Sequence, residues 1–521
     1  MTCFSSPRLD IPFTGTAEEK TSQPQSLEVA KPWYWRSLPL DQRTGQDIFA
    51  ALFLEHQNNL NGIEAIATLL ESPYPTHHFC AVAQKLSRYS ICAGPPRWVN
   101  GKPRLWAPLL GEGLPWLKKL HRLHRSHPLE NRGLPPHSDL PFQGGWLGWL
   151  GYDLGWEVEQ LPYLREDPLP FPVVYWYEPE QFAVLDHQEQ RLWLATTGAE
   201  DLPILEQRLG SAPPLPNVSL TKAADPQEIL HTLGDRLRFH STQEDYMASV
   251  RRAKAHIRAG DIFQANLSLR FSTPAPRDSW SLYRTLQAIN PSPFGSYWRS
   301  PWGEVVSCSP ERLLNVIPDV DTPIISSRPI AGTRSRGQTS TEDQALARDL
   351  STDPKERAEH AMLVDLERND LGRVCGWGSV AVDEFFTVER YSHVMHLVSN
   401  VVGQLSDNSD GIDAIRALFP GGTITGCPKV RCMEIIEALE PVRRSLFYGS
   451  FGYIDHRGQL DLNIAIRTLL LPTDSQGGRS QIIGQVGAGI VADSDPEREW
   501  HESLIKATAQ LSAISSQSQP S

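Results

Sequence analysis

The chain has 521 residues, of which 40% are hydrophobic and 21% are charged, an ordinary globular composition long enough for several domains. Its net charge of −12 disfavours a nucleic-acid partner, because such binders usually carry a basic face. It contains no run of about 18 apolar residues and no apolar signal core, so no membrane contact is expected. The seven scattered cysteines indicate unpaired thiols in a reducing, cytoplasmic compartment.

Four segments follow one another along the chain. Residues 1–30 are polar and lack hydrophobic periodicity, which predicts a loose N-terminal tail. Residues 31–205 are rich in Trp, Pro and Gly and contain strand-like runs. Residues 206–240 include a Pro- and Ala-rich stretch and are predicted to form a linker. Residues 241–515 alternate strand-like and helix-like patterns.

Local start and stop signals predict three helices in this last segment. The first begins at the capping box 241–244 and ends at Gly260. The second begins at 353–354 and the third near 495–496, in both cases an Asp-Pro pair that suits a first turn. Together with the strands between them, these helices predict an α/β (α+β) fold.

Two of the predicted helices carry acidic faces. Glu499, Glu502 and Lys506 are spaced i, i+3 and i+7 and therefore share one face. Glu356 and Glu359 share a face in the same way. Two such faces could meet around a hard cation such as Mg²⁺, which prefers carboxylates, water and ligand oxygens. The alternative is that both are ordinary solvated helix faces.

Four further features are ambiguous when each is taken alone. The segment 487–489 (Gly-Ala-Gly) is predicted to be a tight turn whose N–H groups could approach an anion. The glycine-rich segment 420–429 could act similarly, although its spacing is not that of a phosphate-binding loop. Arg467, in an apolar strand-like run, needs a carboxylate partner from protein or substrate. His396 is a satisfied core histidine or a site residue.

Taken together and in order, these segments resemble the chorismate-utilising enzymes. The resemblance covers residues 241–512 almost throughout and the first half more weakly. The strings that carry it are DIFQANL (261–267), SPE (309–311), RPIAGTR (328–334), EHAMLVD (359–365), RYSHVMH (390–396), PK (428–429), AIRT (465–468) and GAGIV (487–491).

The resemblance implies an architecture of the anthranilate synthase component I type. In that architecture two antiparallel β-sheets pack face to face, helices lie outside them, and the active site occupies a cleft of the second half. The region 31–205 and the chorismate-binding catalytic region 241–515 are then expected to interleave rather than to fold apart.

The resemblance also implies roles for individual residues. Glu359 and Glu502 correspond to Mg²⁺ ligands, with Glu499 beside them, and the metal would hold the ring carboxylate of chorismate. Glu311 corresponds to the general acid that protonates the departing hydroxyl, and His396 lies beside the reacting ring. The implied substrate contacts are Gly332, Thr333, Arg467, Gly487, Ala488, Gly489 and Lys506.

The expected nucleophile follows from Gln264. Family members that add water carry a lysine base at this position, whereas an amide cannot deprotonate water but can orient ammonia through hydrogen bonds. The resemblance therefore implies amination. Ammonia is expected to come from a separate glutamine amidotransferase subunit, because the chain has no nucleophile elbow of its own.

Two aminations fit this pattern. Four segments, 148–153, 266–267, 420–426 and 447–453, resemble the enzymes that make 4-amino-4-deoxychorismate for folate, by a transaminase-type reaction. Ala331 stands where many of those enzymes carry a nucleophilic lysine, and it matches the anthranilate synthases, lyases that release pyruvate on the way to tryptophan. We expect the first product, with anthranilate as the alternative. A non-catalytic paralogue that senses tryptophan or chorismate is an alternative of another class.

A second binding site is implied by the segments 69–72 and 290–294. Together they resemble the tryptophan pocket of the family, in which the amino acid is an inhibitor or a structural ligand. The alternative is a helix end packed on a turn. The candidate pocket residues are Ser72, Pro291, Ser292 and Pro293.

Overall fold

The computed structural model describes residues 32–54, 62–72, 86–125, 139–218, 226–275, 278–319, 322–390, 394–474, 478–479 and 481–517. The predicted tail 1–30 and residues 391–393 of the matched string 390–396 lie outside this part of the chain. Its strands are β1 Tyr34–Pro39, β2 Ala67–Glu71, β3 Tyr89–Ala93, β4 Trp98–Val99, β5 Lys102–Pro103, β6 Leu105–Trp106, β7 Gly145–Leu150, β8 Val174–Tyr177, β9 Gln181–Asp186, β10 Arg191–Thr196, β11 Arg238–Phe239, β12 Gln264–Pro274, β13 Phe294–Ser300, β14 Gly303–Ser309, β15 Arg312–Ile317, β16 Ile324–Arg328, β17 Ile330–Ser335, β18 Ala381–Arg390, β19 Val394–Gln404, β20 Gly426–Cys427, β21 Ser450–Asp455, β22 Leu460–Asn463, β23 Thr468–Pro472 and β24 Gln481–Ile490.

These strands form two large antiparallel sheets and one small hairpin. The first sheet has 12 strands in the order β1-β10-β9-β3-β2-β13-β14-β23-β24-β12-β11, with β20 paired to β12. The second has 10 strands in the order β17-β19-β16-β15-β22-β21-β7-β8-β6, with β18 paired to β19. The two halves of the sequence therefore interleave, because strands that precede residue 206 and strands that follow residue 240 lie in both sheets.

The sheets pack face to face through an aromatic-rich core. Trp149 of β7 lies edge-on to Trp298 of β13, with ring centroids 5.9 Å apart, and Trp298 also packs against Phe451 of β21 at 5.9 Å. Offset and edge-to-face contacts of this kind add to the free energy gained by burying apolar area. The predicted architecture of two packed antiparallel sheets is confirmed.

Helices cover the outer faces of the sheets. A second apolar cluster joins the 12-stranded sheet to the helices around it, for example Leu269 of β12 to Leu504. In the described residues no helix is long and apolar enough to cross a membrane. The α-helices are Gly45–Phe49, Gly113–Arg125, Gly155–Val158, Asp201–Ser211, Pro226–Leu233, Gln243–Ala259, Ser279–Ile289, Ser340–Thr352, Pro354–Gly372, Gly411–Leu418, Gly422–Thr425, Lys429–Leu439 and Pro496–Ser516.

Three details differ from the sequence-based expectations. The segment 206–240 contains the end of one helix and the whole Pro226–Leu233 helix, because Ile229 and Leu233 bury an apolar stripe. The helix predicted from 241–244 is capped by Thr242, whose side chain accepts from the Asp245 N–H. The segment 487–489 is strand rather than turn, since β24 pairs with β12 across it.

Candidate active site

Two helices frame the site, and both begin as their sequences predict. The side chain of Asp353 accepts hydrogen bonds from the first turn of the Pro354–Gly372 helix, and Asp495 does the same for the Pro496–Ser516 helix. A proline follows each cap, where its missing N–H costs no helical hydrogen bond. These caps fix where the acidic faces of the two helices begin.

The acidic faces lie close to each other. Lys355 of the first helix and Lys506 of the second each lower the pKa of both Glu359 and Glu499. Burial has the larger and opposite effect, so the pKa values of both carboxyls are raised overall. The two helices therefore hold carboxylates and ammonium groups within one partly desolvated space.

Lys506 joins the second helix to β24. Its ammonium nitrogen lies 2.8 Å from Glu502 Oε1 and donates a hydrogen bond of 3.2 Å to the Gly487 carbonyl oxygen. On the other side, Gln264 of β12 donates from Nε2 to Glu359 Oε1 at 2.9 Å. The strand pair β12–β24 thus forms a floor between the two acidic helices.

The glycines of β24 keep this floor open. A Cβ on Gly489 would lie 2.4 Å from Gln264 Nε2 and 3.2 Å from Glu359 Oε1, which the site cannot accommodate without moving. Ala488 points to the opposite face and is fully buried in the apolar cluster beneath the helices. Only the backbone of Ala488 can therefore reach a substrate on the side of Gly487 and Gly489.

The carboxylates match a hard cation in the chemistry of their oxygens. Glu499 Oε2 is buried and has no hydrogen-bond partner within the described residues, and a cation would relieve the desolvation of Glu359 and Glu499. In the same part of the chain no three His, Cys, Asp or Glu side chains converge as a ready ligand set. The protein residues therefore fit Mg²⁺ as a partial set that water and substrate oxygens must complete.

Glu311, between β14 and β15, is the most perturbed acid of the predicted set. Burial raises the pKa of Glu311 to about 8, against the opposite effects of the nearby Thr423 side chain and the charge of Arg467. The Ile330 N–H also donates to Glu311 Oε1 at 3.4 Å. The carboxyl is therefore protonated near neutral pH and can donate a proton, as a general acid must.

A second buried acid, Glu367, was not assigned from the sequence. Burial and the charge of Asp370 raise the pKa of Glu367 to about 7, and the charge of Glu367 raises the pKa of Glu311. Asp370 itself is paired with Lys429 at 2.7 Å. One signal was present in the sequence, since Glu367 lies four residues after the buried Leu363 on the same face of its helix.

Gly332, Thr333 and His396 meet where β17 pairs with β19. The Thr333 hydroxyl shares a hydrogen bond of 3.0 Å with His396 Nδ1, which also lies 3.4 Å from the Gly332 carbonyl oxygen. Burial lowers the pKa of His396 to about 3, so the ring is neutral. A Cβ on Gly332 (φ +68°) would lie 2.8 Å from Glu356 Oε2. Gly332 is therefore adjacent to the Pro354–Gly372 helix, which carries Glu356.

Arg467 lies just before β23 and has a positive φ of 51°, an uncommon backbone conformation that suits a functional position. Its guanidinium donates to Asn290 Oδ1 at 3.2 Å. The charge of Arg467 lowers the pKa of both Glu311 and His396. The sequence predicted Arg467 within an apolar strand, whereas the structure places it in a bend just before β23, where its charge acts on the buried Glu311. Asn290 is a contact that the sequence did not indicate.

The segments predicted to form the tryptophan pocket are also adjacent. β2 pairs with β13, and the Ser72 hydroxyl donates to the Pro293 carbonyl. Both residues line a cavity of about 420 Å³ that also contains Phe451, Tyr453 and Ser296. Pro291 and Ser292 lie outside its lining, so the cavity uses two of the four residues expected there.

Comparison with known proteins identifies the class of protein that this fold and site define. Residues 69–512 match the family of chorismate binding enzymes, and the chain belongs to that family.

Relatives within the family carry two different names. An anthranilate synthase component I-like protein of Synechocystis is 54% identical over 94% of this chain and 93% of its own length. Aminodeoxychorismate synthase component 1 of Bacillus subtilis is 41% identical over 84% and 92%. The crystal structure of anthranilate synthase component I from Streptococcus pneumoniae superposes with a TM-score of 0.64 at 31% identity, covering 85% of this chain and 95% of that one.

Proposed function

We propose that the protein aminates chorismate with ammonia and produces 4-amino-4-deoxychorismate. The observation that carries the amination is Gln264, whose amide donates to Glu359 at 2.9 Å and whose own oxygen is buried without a partner among the described residues. An amide is too weak a base to activate water, but its oxygen can accept an N–H of ammonia. Amination is therefore favoured over hydration.

In this proposal ammonia displaces the C4 hydroxyl. Its lone pair forms the new C–N bond, the hydroxyl takes the proton of Glu311 and leaves as water, and the nitrogen then returns one proton to Glu311 or to water. Arg467 and Lys506 attract the substrate carboxylates, and Thr333 fixes the neutral ring of His396. Mg²⁺ held by Glu359 and Glu502, with Glu499 beside them, would supply positive charge for a carboxylate of chorismate.

The ammonia source is proposed to be a separate glutamine amidotransferase subunit in the cytoplasm. Two observations support this partner. The sequence contains no nucleophile elbow of the Gly-x-Cys-x-Gly type, and the relatives are named as components of synthases.

One observation favours 4-amino-4-deoxychorismate over anthranilate. Asn266 and Tyr448 belong to segments that resemble the folate enzymes, and each places an oxygen 2.9 Å from the position of a Cβ on Gly487. Polar groups so close to the substrate floor can distinguish two sites of attack. Ala331 matches the anthranilate synthases instead, and because it has no nucleophilic atom, the attack in this proposal is made by ammonia itself. Anthranilate, formed with loss of pyruvate, is the alternative product.

Product analysis tests this proposal. Purified protein incubated with chorismate, Mg²⁺ and an ammonium salt is expected to consume chorismate and to form 4-amino-4-deoxychorismate, which an added lyase converts to para-aminobenzoate. Chromatography with fluorescence detection separates this product from anthranilate. Anthranilate formed without added lyase contradicts the folate assignment, and an absence of chorismate consumption supports a non-catalytic binding paralogue.

We also propose that the 420 Å³ cavity binds tryptophan. Phe451 and Tyr453 offer aromatic surface to the indole ring, while the buried Ser296 hydroxyl has no partner among the described residues and can bind a polar group of the ligand. Asn290, three residues from the lining Pro293, also contacts Arg467. A ligand bound in the cavity can thereby influence Arg467 in the active site.

Isothermal titration calorimetry checks the tryptophan site. One tryptophan is expected to bind per chain, and Ser296→Leu is expected to weaken binding about tenfold or more, because added methyl groups in a filled cavity cost about 1–3 kcal/mol. Phenylalanine is the matched ligand control and is expected to bind more weakly. Equal affinity of the wild type and Ser296→Leu for tryptophan places the ligand elsewhere.

A further inference from the structure

Gln264 and Asn266 are two amide side chains on one face of β12. They are two residues apart, and successive side chains of a strand alternate between its faces. β12 pairs with β24 so that Asn266 stands opposite Gly489. Both amides therefore face the open floor that the glycines of β24 leave beside the acidic helices.

Hydrogen bonds fix which end of each amide is available. Gln264 Nε2 donates to Glu359 Oε1 at 2.9 Å, and Asn266 Nδ2 donates to the Thr423 carbonyl at 3.4 Å. Because both NH₂ groups already donate to protein acceptors, the two amide oxygens are the atoms that remain available to a ligand. Gln264 Oε1 and Asn266 Oδ1 are both buried and have no hydrogen-bond partner within the described residues.

Two buried carbonyl oxygens without partners in the described residues, on the same face of β12, call for a ligand that donates. A buried acceptor without a partner destabilises the fold, and such groups in a native fold mark a missing partner. The space is defined by Gly487, where a Cβ would lie 2.9 Å from Asn266 Oδ1 and 2.9 Å from Tyr448 Oη. The missing partner is thus a small donor beside the backbone of Gly487.

Ammonia has the hydrogen-bonding pattern that this arrangement fits. It has three N–H donors and one lone pair, and attack requires the lone pair to face the carbon. Acceptors that hold the N–H groups leave the lone pair free, whereas a donor would occupy it. Two amide oxygens on one strand face can orient ammonia without protonating it.

We propose that Asn266 Oδ1, together with Gln264 Oε1, forms the binding site for the ammonia nucleophile. This inference rests on the proposed amination. It assigns to Asn266 a contact with ammonia rather than with chorismate, and it predicts that the affinity for ammonia depends on an acceptor atom at position 266.

Steady-state kinetics with ammonium chloride at fixed pH test the assignment. Asn266→Leu keeps the size of the side chain but removes the acceptor, and is expected to raise KM for ammonia about tenfold, as befits one lost hydrogen bond. The KM for chorismate is expected to stay within about threefold, because only the contact with the nucleophile is lost. Asn266→Asp keeps an acceptor oxygen and is expected to restore most of the affinity for ammonia.

Other results overturn the assignment. An unchanged KM for ammonia combined with a raised KM for chorismate shows that Asn266 contacts the substrate. A loss of kcat with an unchanged KM for ammonia, in a variant whose circular dichroism and melting temperature match the wild type, also excludes it. Failure of the amination itself is distinguishable, because the wild type then consumes no chorismate with ammonium.

Discussion

Glu359→Gln is expected to lower kcat/KM for chorismate by about 10³-fold or more at saturating Mg²⁺ and ammonia. The substitution keeps the size of the side chain and a partner for Gln264, which now donates to Glu359 at 2.9 Å, but removes the negative charge proposed to hold the cation. Charge stabilisation by a bound metal is worth several kcal/mol, and each 1.36 kcal/mol is about tenfold in rate. Initial rates of chorismate consumption, titrated with Mg²⁺, measure the effect.

Protein stability separates this effect from misfolding. Burial raises the pKa of Glu359, so a neutral amide there avoids a desolvation cost and the melting temperature is expected to stay equal or rise. Asp365→Asn is the matched control on the same helix, because Asp365 is exposed and its ion pair with Arg368 (3.2 Å) is a surface contact. Wild-type activity of Glu359→Gln at low Mg²⁺ contradicts the assignment of Glu359 as a ligand.

Signals that act within a few residues were sufficient to predict the helices that carry the site. The Asp-Pro pairs at 353–354 and 495–496 predicted two helix starts, and both aspartates cap as expected. Helical spacing then placed Glu499 and Lys506 on one face. These features depend on capping and side-chain periodicity, which local sequence determines.

Long-range pairing explains what the sequence did not show. The segment 487–489 has the glycines of a turn, yet it lies inside β24 because β12, more than 200 residues earlier, supplies its hydrogen bonds. Tertiary pairing overrides local turn preference at such a position. The hydrogen bond between Arg467 and Asn290 likewise depends on which strands become neighbours. The spacing of residues along the chain does not reveal this.

Buried acids were the hardest residues to interpret from the sequence. Glu367 occupies a position on the apolar face of its helix, where an acid is normally excluded unless it is paired or neutral. Burial and the charge of Asp370 raise the pKa of Glu367, and the charge of Glu367 raises the pKa of Glu311, so both effects depend on the three-dimensional arrangement. Periodicity places the residue inside the protein but does not reveal what it faces there.

Glu311→Gln is expected to lower kcat by about 10²–10⁴-fold, the usual range for loss of a general acid. In the wild type the acid must be protonated, so activity at constant free ammonia is expected to fall as pH rises through about 8, the pKa to which burial raises Glu311. The residual activity of Glu311→Gln is expected to lack this decrease, which is the alkaline limb of the pH profile. A pH profile of kcat, with free ammonia held constant by adjusting total ammonium, measures both effects.

Glu367→Gln provides a second and opposite test of the same acid. The negative charge of Glu367 raises the pKa of Glu311, so its removal makes Glu311 more acidic and is expected to move the alkaline limb to lower pH. Loss of packing alone would lower kcat uniformly and leave the limb in place. A wild-type limb near pH 8 that persists in Glu311→Gln would assign the titration to another group and remove Glu311 from the role of acid, since a glutamine at that position has no proton to lose in this range.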